Sequence, residues 1–508
     1  MKKFFIYITA VYLLLSVAVL APHPASAAPD TADITILHVN DTHGHILPGI
    51  IRHISPTKPV GGAAHLAVMI ARERAGNPDG TLLLSGGDAF QGTPISNVFQ
   101  GAPLIKIMNY LKFDAMVIGN HEFDWGRDVL ARNIGTARFP FLAANIFEGN
   151  GSYLPGVPPF ILCERRGITI AIIGITTPDT AVTTKPDNVR GLTFRRPQDV
   201  LPELIKAVRQ QNAQVIVVLS HSGLAADIEM ARDVPGIDII VGGHSHTRIT
   251  DPVTVGTTII VQAGCFDSYL GVLELSIDRH TGRIVRHTTK NELKTVYSAV
   301  DDPEDRVVAD ITTYYHNRIK EEFSRVIGTT NVELLTNKMG ESNEANLICD
   351  AMKDTTGAVI AFANSGGFKV DIPKGPITRE QIFELLPYDN VLVSMDLAGS
   401  QIMEILEQSA AMEHGIIQVA GMTVTYDLQN AQGHRVSRVR IGGQPLNPDA
   451  VYRIVTNDFL AAGGDGYTTF KHGRNIRYGD DLRDTVSHYI KTHSPVSPRL
   501  EGRITVNR

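Results

Sequence analysis

Apolar residues in the first part of the chain come in short runs, each closed by Gly, Asn, Asp or Ser. Residues 34–39, 81–84, 115–118, 168–173, 215–219 and 237–241 are such runs. Their shortness and β-branched content predict buried strands. Between several of them apolar residues recur at helical spacing, as at 63–74 and 197–211. Strands alternating with helices from residue 33 to about 295 predict an α/β layered domain. In such domains ligands gather at the carboxyl ends of the strands.

The pattern changes near residue 301. Asp301, Asp302 and Pro303 open a charged segment with Tyr314, Tyr315, Ile319 and Phe323 at roughly helical spacing, predicting a linker helix over 298–325. Further on, an amphipathic helix is predicted at 346–353, with glycine-rich turns at 364–367 and 463–466. The division expected is a first domain over 30–297 and a second, α+β domain over 326–508. At the other end, residues 4–20 are apolar apart from Thr9 and Ser16, follow Lys2 and Lys3, and lead into Ala25, Ser26 and Ala27. That order predicts a signal peptide over 1–27, because the run is short for a bilayer span and small residues follow it. A periplasmic or secreted protein is therefore expected, with no stable membrane anchor after cleavage.

Composition changes the picture in two places. A formal net charge of −6 argues against a nucleic-acid polymer as partner, since binding a polyanion normally needs a basic face. Three cysteines, Cys163, Cys265 and Cys349, make no disulfide framework, and Cys349 in the apolar run 347–349 reads as a buried free thiol. A monomer or weak dimer acting on a small molecule is the expectation.

The chemistry lies where the strands end. Asn-Asp-Thr-His-Gly at 40–44 places Asp41 and His43 two residues apart, on one side of an extended backbone. Ser-Gly-Gly-Asp at 85–88 brings Asp88 after glycines that permit a tight turn. Gly-Asn-His-Glu-Phe-Asp at 119–124, Ser-His-Ser-Gly at 220–223 and Gly-Gly-His-Ser-His at 242–246 complete the set. One such histidine would mean little. Five strand-terminal motifs rich in His and Asp point to a metal site, and a mixed N/O set without thiolate suits zinc, manganese or other first-row ions rather than calcium. Hydrolysis at two metals needs a shared carboxylate together with imidazoles and oxygens. Ser85, Ser96 and Ser220 read as turn residues rather than nucleophiles.

In this order the motifs resemble the calcineurin-type metallophosphoesterases, and more closely the 5′-nucleotidase/UDP-sugar hydrolase family, over nearly the whole mature chain. The resemblance implies a four-layer α/β/β/α metallophosphoesterase domain, a linker helix and a C-terminal α+β substrate-binding domain. It implies two divalent metal ions (Zn, Mn or Co), one held by Asp41, His43, Asp88 and His246, the other by Asp88, Asn120, His221 and His244. His121 would steady charge on the phosphoryl oxygens, with Asp124 orienting its imidazole. The reaction implied is in-line attack of a metal-activated water, with no covalent intermediate.

In the second domain, 364–369, 387–390 and 463–467 resemble the family's substrate loops. That match implies substrate contacts from Asn364, Gly366, Gly367, Lys369, Tyr388 and Asn390, with Tyr388 and Tyr467 sandwiching a base. Lys369, and Lys338 before the predicted helix, stand where many members carry Arg; lysine stays cationic but lacks the bidentate fork. His65 reads as a surface helix residue and His38 as structural. The implied activity is a 5′-nucleotidase, with UDP-sugars or nucleoside di- and triphosphates as further substrates. A 2′,3′-cyclic-nucleotide phosphodiesterase and a catalytically weak nucleotide-binding protein are the alternatives, separated by assays on AMP and 2′,3′-cyclic AMP.

Overall fold

The computed structural model describes residues 30–507, apart from 52–53, 290–292, 300–301 and 413–414. The signal peptide expected over 1–27 lies outside the described residues. Two sheets face each other in the N-terminal part. In the first, Thr31–Val39 pairs parallel with Thr81–Ser85 and antiparallel with Tyr269–Asp278, and the sheet continues through Ala115–Val117 and Phe141–Leu142. In the second, Val215–His221 lies between Ile168–Thr176 and Ile239–Val241, parallel to both.

Strand alternation then sorts the side chains into layers. Ile34, Ile36, Leu82 and Leu84 meet Ile170, Ile172, Val217 and Leu219 between the sheets. On the outer face of the first sheet, Leu37, Val39 and Leu83 pack with Leu66, Ile70 and Leu104 of the helices Ala63–Gly76 and Ala102–Leu111. On the outer face of the second, Ile216 and Val218 pack with Leu201, Ile205 and Met230 of the helices Pro197–Gln210 and Leu224–Asp233. The layers run α/β/β/α, as the resemblance implied.

The helix Arg306–Phe323 starts at Asp305, whose carboxylate accepts a hydrogen bond from Val308 N. It buries Val308, Tyr315, Ile319 and Phe323 against the N-terminal helices, whereas Tyr314 is 55% exposed, so the helical stripe excludes Tyr314. His65 is not a surface residue. Asp305 N bonds Ala64 O, which brings the segment before this helix down over the His65 ring, 3.2 Å from Glu304. His38 is buried in the first strand. All three cysteines are free thiols, and Cys349 is buried.

The C-terminal part holds a five-stranded sheet, in the order Ile417–Ala420, Ile360–Asn364, Val451–Asn457, Val391–Ala398, Arg474–Asp481. A four-stranded sheet lies beside it, centred on Val436–Ile441 and Met422–Asp427. The helix predicted over 346–353 runs Asn343–Thr356, capped by Ser342 and stopped by Gly357, whose φ of 67° suits glycine.

Glu344, in the first turn of that helix, is buried with neither carboxylate oxygen hydrogen-bonded. Burial, with Asp371 adding repulsion, holds its pKa well above the usual carboxylate range. Below about pH 4 the carboxyl is protonated folded or unfolded and costs nothing extra. As pH rises, the unfolded chain releases the proton first, so this group's contribution to stability falls towards its raised folded pKa. Glu344→Gln is therefore expected to raise the urea midpoint at pH 8, by about 1–2 kcal/mol of stability, and to leave it unchanged at pH 4. A variant weaker than the parent at pH 8 would contradict this.

Candidate functional site

The strand-end motifs converge on one cleft of about 700 Å³ between the two halves of the molecule. Two groups of side chains point ligand atoms at common centres: Asp41, His43 and His246, and Asp88, His221 and His244, each set lying within 4.8 Å. Asp88 stands beside both, 3.0 Å from His221 Nε2 and 3.9 Å from His43 Nε2. The two histidines of the first group approach Nε2 to Nε2 at 3.1 Å.

Backbone conformation aims these side chains. Asp41, His43, Asp88, His244 and His246 all have left-handed φ, between 48° and 72°, which costs an L-residue about 1–2 kcal/mol. Hydrogen bonds hold the strained turns: Asp41 N donates to Gly87 O and His43 N to Asp88 O, at 2.9 and 3.0 Å. The motif glycines are needed for close approach. A Cβ on Gly119 would lie 2.1 Å from Asp88 Oδ1, and one on Gly243 would lie 2.3 Å from Gly86 O.

The imidazoles are oriented from behind. His43 Nδ1 donates to Gln91 O at 2.8 Å and His221 Nδ1 to Gly86 O at 2.6 Å, leaving each Nε2 turned into the cleft. Burial keeps His43 well below its ordinary pKa and holds His244 at about 3, so both are neutral, as a ligand must be. Burial opposes charge on His221 too, but Asp88 overrides it and pushes that imidazole to about 10. Asp88 thus draws positive charge to this spot.

The donor set fits divalent ions. Carboxylates and imidazole nitrogens converge, and the buried Asn120 Oδ1 beside them has no hydrogen-bond partner. His246, 35% exposed, is the open side of the first group.

His121 follows Asn120 on the cleft floor. Its backbone N–H donates to Asp88 Oδ1 at 2.9 Å and its Nδ1 meets Asp124 Oδ2 at 2.6 Å. Thr184 Oγ1 donates to the other Asp124 oxygen at 2.8 Å. Burial would depress the His121 pKa, but Asp124 and Asp88 together raise it above the ordinary value.

The C-terminal half forms the roof. Lys338, Asn364, Gly366, Lys369, Tyr388 and Asn390 all line the cleft. Tyr388 stacks on His121 with centroids 5.6 Å apart, and Lys369 Nζ sits 5.3 Å from the Tyr388 ring centre. Burial, then the neighbouring Lys338, pushes Lys369 down to about 8. Gly367 lies against the Asn364 side chain rather than on the cleft wall. Tyr467 is not on the cleft wall either. It is 2% exposed and packed against Phe470, inside the hydrophobic core. The aromatic residue from this segment that lines the cleft is Phe459.

Sequence reasoning also missed Glu122. Its buried carboxylate accepts hydrogen bonds from the backbone N–H groups of Asp88, Ala89 and Gly119, at 2.7–2.9 Å, holding two motifs together from below. The motif at 119–124 contains it, but only the folded chain shows which acid faces the cleft.

A family profile for the calcineurin-like phosphoesterases matches residues 34–248, and one for the 5′-nucleotidase C-terminal domain matches 326–472. A snake venom 5′-nucleotidase of Crotalus adamanteus is 30% identical over 97% of this chain and 92% of its own. A trifunctional nucleotide phosphoesterase of Bacillus subtilis is 31% identical over 93% of this chain, which spans 35% of that protein's length. The crystal structure of a 5′-nucleotidase precursor from Thermus thermophilus superposes with a TM-score of 0.86 at 32% identity, covering 94% of this chain and 100% of that one.

Proposed function

The chain belongs to the 5′-nucleotidase family of calcineurin-like phosphoesterases and is a phosphoric-ester hydrolase, and we propose that it is an exported enzyme that removes phosphate from nucleoside 5′-monophosphates with two divalent ions bound. The observation that carries the reading is one cleft with both ligand clusters on its floor and Tyr388 and Phe459 on its walls. Aromatic faces accept a base by stacking, whatever its identity.

Asp41, His43 and His246 would hold one ion, and Asp88, Asn120, His221 and His244 the other, with Asp88 between them. Bound there, the ions would neutralise phosphate oxygens and acidify a water. The remaining work falls to side chains. His121, whose charged form Asp124 favours, sets positive charge where the phosphoryl oxygens gain negative charge. Lys338 and Lys369 hold the charged part of the substrate as point charges. The stacking residues fix the other end, so that binding energy remote from phosphorus aligns the ester for attack.

Export is supported by the leader-like residues 1–27, and no described helix is long and apolar enough to cross a membrane. A mature protein still carrying residues 1–27 would overturn that part. The activity is tested by phosphate release from AMP, ADP, UDP-glucose, 2′,3′-cyclic AMP and ribose 5-phosphate, with Mn²⁺, Zn²⁺ or Co²⁺. AMP is expected to be the preferred ester, ahead of base-free ribose 5-phosphate by about tenfold or more. Turnover of 2′,3′-cyclic AMP without AMP would replace this reading with a cyclic phosphodiesterase.

A further inference from the structure

We propose that Lys185, a residue of the N-terminal domain, is a positioning residue that sets the two aromatic-bearing segments of the C-terminal domain. This rests on the nucleotide reading above. Lys185 sits between the short helix Thr180–Thr183 and the turn Pro186–Val189. Pro186 keeps its backbone extended, which presents the side chain away from its own domain.

Its ammonium lies 3.0 Å from Asp458 Oδ2 and donates to Asp389 O at 2.7 Å. Asp458 immediately precedes Phe459, and Asp389 immediately follows Tyr388. One cation therefore ties the Phe459 segment to the Tyr388 segment. Lysine suits the task, having three donors to share between acceptors from different parts of the chain. On the far side of Tyr388, Asn97 Nδ2 donates to Pro387 O at 2.7 Å, again from the N-terminal domain. Both carbonyls flanking Tyr388 are thus held from across the cleft, and the Tyr388 ring lies stacked on His121.

Lys185 is 34% exposed and Asp458 20%, so as an ion pair they add little to stability. The placement of the contacts gives them another role. Within the C-terminal domain Val391 N already donates to Asp458 Oδ1 at 3.1 Å and Leu392 pairs with Asn457. Lys185 adds to this a hold from the other domain, which tightens the spacing of Tyr388 and Phe459, and with it the fit of a base, only where the two domains meet.

The test compares Lys185→Gln, Asp458→Asn, the double variant and Lys185→Arg, using kcat/KM for AMP divided by that for ribose 5-phosphate. Each single variant that breaks the tie is expected to lower this ratio about tenfold, mainly through KM for AMP. The double variant should be no worse than the more damaged single one, because both break the same tie. Lys185→Arg should retain most of the preference. An unchanged ratio in Lys185→Gln, with the parent preferring AMP, overturns the proposal and leaves the nucleotide reading standing. Additive losses in the double variant overturn it too, since Lys185 would then touch the nucleotide itself. A parent with no preference for AMP removes the nucleotide reading and the proposal with it.

Discussion

Asp88→Ala is expected to lower kcat/KM for AMP by about 10³-fold or more. Asp88 is beside both ligand clusters, within 3.0 Å of His221 Nε2 and 3.9 Å of His43 Nε2, and its other oxygen accepts from the His121 backbone. Truncation therefore removes a negative charge from both centres and a brace from His121 at once. The loop should survive, because Glu122 still holds the backbone N–H groups at positions 88 and 89. Calorimetric titration with Mn²⁺ supplies a reading independent of turnover. The parent should bind two ions and gain about 3–4 kcal/mol of stability for each ion at concentrations 10²–10³ times Kd. The variant should lose at least one ion and much of that gain. A variant that binds two ions as tightly as the parent and keeps activity within about tenfold would remove Asp88 from the centre.

The second large effect concerns His121. His121→Ala is expected to reduce kcat by about 10²–10³-fold with KM little altered, because its charge matters most as the phosphoryl group becomes more negative. Asp124→Asn should cost about 10-fold, since the imidazole remains but its orientation and charge are less well supported. The pH profile separates the two roles. Burial opposes the imidazolium, while Asp124 and Asp88 favour it and raise its pKa. Activity that needs the protonated form is lost as pH rises through that raised pKa, so removing the Asp124 charge should move the alkaline limb to lower pH. An alkaline limb of kcat that stays in place in Asp124→Asn would show that this histidine does not set it.

Much of the N-terminal domain was legible because strand ends carry the chemistry. A short β-branched run closed by Asp, His or Gly reports both an element and the place where its ligands emerge. The runs at 34–39, 81–84 and 215–219 fall within Thr31–Val39, Thr81–Ser85 and Val215–His221. The strand Tyr269–Asp278 was missed. It pairs antiparallel with the first strand, Gly271 opposite His38, across a separation that local pattern does not report.

The roof of the cleft was read less well, for a similar reason. Phe459 and Tyr467 flank one glycine-rich turn, and both are aromatic, so residue type alone cannot assign the cleft to either. Packing decides: Tyr467 finds Phe470 in the core, and Phe459 is left on the wall.

By itself, then, the sequence determined the layered α/β class and the positions of the motifs, because these follow from short-range periodicity and from residue types at strand ends, while the order of the motifs carried the family resemblance. The tertiary structure alone decided which acid supports the floor, which aromatic residue faces the cleft, and that Lys185 reaches between Asp389 and Asp458. Those are contacts between residues distant in the chain, fixed by burial and hydrogen bonding once the layers have packed.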